Sequence, residues 1–125
     1  MRDYRVKTKV NILTGFPSEE FNVLMFEKAK KNIANKISDI IKNNDSLSKY
    51  IEGDLSFRFY GYKVCLEYTL ECCDENRQEA ESFSRYSVEC IRGELEKNGY
   101  KIESIQCRAK EVSEKEIKQL EDRFF

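Results

Sequence analysis

The chain has 125 residues, with 22 basic and 23 acidic side chains and no histidine. That is the length of about one domain, large enough to bury a core without disulfides or metal, and a net charge of −1 gives no bulk attraction to nucleic acid or to an anionic membrane. The lack of histidine removes the commonest general base and metal ligand.

Tyr4, Val6, Thr8, Val10 and Ile12 alternate with Arg5, Lys7, Lys9 and Asn11, the period of a strand with one covered and one open face. Thr14-Gly15-Phe16-Pro17 ends it, and Ser18 is placed as N-cap of a helix with Glu19 and Glu20 in its first turn. The helix is predicted to run to about Asn43, with Phe26, Ala29, Ile33, Ile37, Ile40 and Ile41 on its apolar side. Phe21, Leu24 and Met25 widen that side near its start, which would suit a subunit or partner contact.

Asn43 to Ser46 reads as a loop, and Leu47 to Asp54 fits neither period. Leu55, Phe57 and Phe59 form a second strand, and a turn at Tyr60-Gly61-Tyr62 returns into a third. In the third strand Val64, Leu66, Tyr68, Leu70 and Cys72 face one way and Lys63, Cys65, Glu67, Thr69 and Glu71 the other. Asp74 is expected to cap a second helix that buries Ala80, Phe83, Ser87, Ile91 and Leu95 and stops at Asn98-Gly99. A fourth strand alternates Ile105, Cys107 and Ala109 with Ser104, Gln106, Arg108 and Lys110. Ser113 and Glu116, flanked by Val112 and Ile117, have the spacing of a capping box and staple, predicting a short third helix.

The expected fold is therefore α+β: a βαββαβ order plus a short C-terminal helix, one domain over 1–125, with helices on one face of an antiparallel, ferredoxin-like sheet. The other face would collect Arg5, Lys7, Lys9, Arg58, Lys63, Arg108 and Lys110, against Glu67 and Glu71. Such a face can hold phosphate through charge-assisted hydrogen bonds, and it is equally the solvated side of an ordinary sheet. A second group is aromatic and cationic: Tyr60, Tyr62, Phe83, Arg85, Tyr86 and the closing Arg123-Phe124-Phe125. Arg85 and Arg123 stand out there because neither has an evident packing role.

The same strand order raises an RNA-recognition domain, but Tyr60 to Glu67 fails the aromatic signature that its third strand needs, which argues against nucleic acid as partner. A phosphate-binding P-loop, a GxSxG elbow and an Asp-x-Asp metal cluster are likewise missing, so the expectation is a binder rather than an enzyme, with no cofactor or metal. The five cysteines, Cys65, Cys72, Cys73, Cys90 and Cys107, are odd in number and lack a C-x-x-C pair. They read as free thiols of a reducing cytosol. With no secretion signal and no apolar run of spanning length, a cytoplasmic protein without a membrane partner is expected.

A chain that opens Tyr4-Arg5-Val6-Lys7-Thr8-Lys9-Val10, continues into a long lysine-flanked helix and carries aromatic and arginine elements toward its end resembles the Thoeris anti-defence protein 1 family of phage nucleotide sponges. The likeness is one of size and layout across most of the chain, without a signature motif. It implies a non-enzymatic homo-oligomer in the host cytosol that captures glycocyclic ADP-ribose intact and so starves an immune effector; some members also hold cyclic oligonucleotides. In that role residue chemistry would suit Phe83 to stacking a purine, Arg58 and Arg108 to binding phosphates, Asn98 to a base or ribose edge and Arg123 to closing the site, with Arg85 beside the stacking ring. The competing expectation is a homo-oligomeric interaction module that binds a host protein through the apolar start of its first helix.

Overall fold

The computed structural model describes residues 1–15, 23–60 and 63–112, with side chains in the first helix from Glu27 onward. Strand β1 (Arg2–Leu13) leads to helix α1 (Val23–Lys42) and the single-turn α2 (Asp45–Ser48), then β2 (Ile51–Tyr60), β3 (Lys63–Asp74), α3 (Arg77–Lys97) and β4 (Lys101–Glu111). The four strands form one sheet in the order β2-β3-β1-β4, antiparallel throughout. This is an α+β fold with its helices packed on one face of the sheet.

The alternation along β1 has the predicted consequence. Tyr4, Val6, Val10 and Ile12 are buried against the helices with Val64, Leu66 and Leu70 of β3, while α3 contributes Val88, Ile91 and Leu95. Helix α3 lies over β4, β1 and β3, and α1 packs beside it toward β2. One polar pair sits inside this apolar layer: Thr8 Oγ1 and Ser84 Oγ are 2.6 Å apart, so a hydrogen bond joins the centre of the sheet to α3. The buried hydroxyls satisfy one another, as burial away from water requires.

The segment that fits neither period in the sequence resolves into two pieces. Leu47, fully buried, anchors α2, and β2 then begins at Ile51, four residues ahead of the expected Leu55. Its pairing with β3 slips between Glu52 and Ser56. Gly53 lies in that bulge with φ of +76°, a conformation that costs a side-chain-bearing residue but not glycine.

The start of α3 corrects another expectation. Asp74 ends β3, opposite Arg2, and the N-cap is Asn76, whose side-chain oxygen accepts the Glu79 N–H at 2.9 Å. The extended backbone of Asn76 allows this reach. The expected stop stands: Gly99 adopts φ of +84°, and the Gly99 and Tyr100 N–H groups donate to Glu96 and Leu95 carbonyls at the helix end. Ser18, Phe21, Gly61, Tyr62, Ser113, Glu116, the predicted third helix and the Arg123-Phe124-Phe125 ending lie outside the described residues, as do the side chains of Leu24, Met25 and Phe26.

Candidate functional site

The register decides which charges meet on the open face. Lys110, Arg5 and Glu71 form one row across β4, β1 and β3; Arg108, Lys7 and Thr69 form the next; Gln106, Lys9 and Glu67 the third. Arg5 Nε lies 3.3 Å from carboxylate oxygens of both Glu52 and Glu71, and Lys9 Nζ is 3.4 Å from Glu67. Lys7 and Arg108 are different. They oppose one another directly, and among the described residues neither has a carboxylate within 4 Å. Like charges set opposite in a ladder destabilise it, so a shared anion is the natural complement.

These two cations border an open groove of about 620 Å³ that also touches Lys9, Glu67, Gln106, Cys107 and Arg85. Arg85 belongs to α3 and reaches the groove at the outer edge of β4. There its Nη1 donates to the Ile105 carbonyl at 3.1 Å. One turn earlier Glu81 accepts the Ala109 N–H at 3.0 Å. An edge strand would otherwise present these backbone groups unpaired, and the Glu81–Arg85 pair caps them while fixing the Arg85 guanidinium beside the groove. Three cationic groups with one paired carboxylate nearby can receive a phosphate, a pyrophosphate or a comparable polyanion.

The opposite corner of the open face is acidic. Burial raises the Glu52 carboxyl above the usual range, a hydrogen bond and repulsion from Glu71 raise it further, and Arg5 partly offsets both. Two cysteines of β3 are poor nucleophiles: burial pushes Cys65, on the open face, upward, and burial together with the Asp74 carboxylate lifts Cys72, on the helix side, to about 12. Among the described residues no group of three or more His, Cys, Asp or Glu side chains is placed to hold a metal ion.

The expected site residues divide. Arg108 and Arg85 line the same groove. Arg58 shares the open face, but it sits on β2, opposite Cys65 in the row that ends at Ser104. Three strand spacings and four residues of rise separate it from Arg108, roughly 20 Å. Phe83 is on the helix side, half-buried, with its ring edge-on to Tyr50 at 4.9 Å between centroids. Asn98 caps the end of α3 by donating from Nδ2 to the Glu94 carbonyl at 2.8 Å, and it lines a separate hollow of about 470 Å³ between the ends of α1 and α3. Arg123 is outside the described residues, and so are the side chains at the start of α1 on which a host-protein contact was expected.

Lys7 and Gln106 complete the groove; the sequence placed both on the open face, Lys7 among its cations, whereas Glu81, which holds the β4 edge beside the groove, was not singled out. Alternation alone puts Lys7 and Gln106 on the correct face, but their neighbours depend on a register slip between Asn11 and Ile12 that no local signal marks. Glu81 was visible only as a polar helix residue four positions before Arg85.

Comparison with protein-family models, curated proteins and solved structures returns no match. No helix among the described residues is long and apolar enough to cross a membrane.

Proposed function

We propose that this chain is a non-enzymatic binder of a small phosphate-bearing molecule, held in the groove by Lys7, Arg85 and Arg108. The observation that supports it is the direct opposition of Lys7 and Arg108 without a carboxylate partner among the described residues. A folded protein retains such repulsion at a cost, and an anion that bridges both cations removes it. Glu67 and Gln106, two residues further along their strands, offer an acceptor and an amide for a hydroxyl or amine of the same ligand.

In its finer form the proposal is sequestration: a cyclic nucleotide messenger of the glycocyclic ADP-ribose type, or a cyclic oligonucleotide, is captured intact in the host cytosol and withheld from an antiphage effector. That form follows from the family resemblance, and the groove's charge agrees with it. The test is native mass spectrometry of the protein with glycocyclic ADP-ribose, cyclic dinucleotides and pyrophosphate, followed by heat release of the bound species. Recovery of unmodified nucleotide, lost on Lys7→Ala and Arg108→Ala, is expected. Recovery of a cleaved product would replace the sponge by an enzyme, and binding unaffected by both variants would remove the groove from the reading.

A further inference from the structure

Three residues of β2, Gly53, Asp54 and Leu55, stand against the single Tyr68 of β3, between the Glu52–Thr69 and Ser56–Glu67 pairs. All three leave the ladder at the same place, and all three line one open hollow of about 580 Å³ whose other walls come from the second half of α1 and from Ser48 of α2. That volume suits a small molecule. The hollow belongs to the β2 edge of the sheet, whereas the phosphate groove belongs to the β4 edge.

The lining combines an apolar base with a charged rim. Ile41 is buried, and Ile51 and Leu55 are half-buried. Lys42 and Asp54 are exposed beside them. Among the described residues neither has an ion-pair partner within 4 Å, so the two opposite charges are not closed on one another. Gly53, with φ of +76°, keeps its part of the wall free of a side chain, and an atom added at its Cβ position meets nothing within 4 Å. Glycine within a strand marks a place where a ligand can approach the backbone closely. The backbone groups of a bulge that have left the ladder still need polar partners.

A ligand that satisfies this lining carries one positive and one negative group on a short apolar body. A polyanion would meet Lys42 but also the Asp54 carboxylate, and a ligand with a single charge leaves the other rim group unused. We propose that the hollow binds a free apolar α-amino acid of the leucine type: its ammonium on the Asp54 carboxylate, its carboxylate on Lys42 Nζ, and its branched side chain on Ile41, Ile51 and Leu55. The hydroxyls of Ser38 and Ser48, on the same lining, offer further hydrogen bonds to the carboxylate.

Calorimetry and saturation-transfer NMR with L-leucine test the assignment, beside isoamylamine, which lacks the carboxylate, and isocaproate, which lacks the amine. Saturable binding of leucine is expected, about tenfold or more tighter than either fragment. Asp54→Asn and Lys42→Gln should each weaken leucine by about tenfold through loss of one charge-assisted contact. Circular dichroism checks that both variants remain folded. Amide shifts on adding leucine supply an independent readout and should centre on Gly53, Asp54 and Leu55. Absence of saturable leucine binding, equal binding of a fragment with one charge, or amide shifts that centre elsewhere while both variants bind like the natural chain would overturn the proposal.

Discussion

Lys7 and Arg108 stand directly opposite each other on the open face of the sheet, two cations in one cross-strand pair. The arrangement opposes stability and favours anion capture. Arg108→Gln should therefore stabilise the empty protein by about 0.2–1 kcal/mol while weakening binding of a phosphate ligand. Thermal unfolding with and without pyrophosphate checks both signs. A destabilised empty variant would mean that Arg108 has a structural partner that outweighs the repulsion.

The Thr8–Ser84 hydrogen bond makes a different prediction, because both hydroxyls are buried. Ser84→Ala leaves Thr8 without its partner and should destabilise by about 1–3 kcal/mol. Combining it with Thr8→Val removes the polar pair altogether, so the double variant should lose less than the sum of the single losses. Denaturant unfolding of the four proteins yields the coupling.

Cys72 should be inert in the folded chain. With its thiol lifted to about 12 by burial and by Asp74, only about one molecule in ten thousand carries the thiolate at pH 8. Peptide mapping after brief alkylation should find Cys72 unmodified under native conditions and modified in denaturant. The sign for stability follows from the raised value. The contribution of this thiol is fully present below its unfolded value near 9 and is lost as pH rises toward 12, so alkaline unfolding should steepen in that window.

Removing the acidic half of the β4 cap isolates its protective role. Glu81→Gln leaves an acceptor for the Ala109 N–H, whereas Glu81→Ala leaves none. Hydrogen exchange at the Ala109 amide should quicken in the alanine variant and change little in the glutamine variant. The alanine variant should also scatter more light on concentration, since an uncapped edge can recruit strands.

Local periodicity was enough to separate covered from open faces. The alternation of β1, β3 and β4 identified Val6, Val10, Leu66 and Leu70 as core and Arg5, Lys7, Lys9 and Arg108 as the opposite face, because side chains in a strand reverse direction at every residue. The stop at Gly99 was legible for a similarly local reason, the left-handed backbone that ends a helix. Leu47 and the β2 bulge were not, since α2 exists to bury one leucine and Gly53 bends a strand whose partner is elsewhere in the chain.

What the amino-acid order determined by itself was thus the α+β class, the faces of its strands and the supply of cations on one of them. Only the tertiary structure decided which cations meet. The slip between Asn11 and Ile12 aligns Arg108 with Lys7, α3 carries Arg85 to the same groove, and strand order sends Arg58 toward the other edge. Face is set by the two-residue period of one strand, whereas neighbourhood is set by pairing between segments about a hundred residues apart in the chain, where one step of register exchanges every partner.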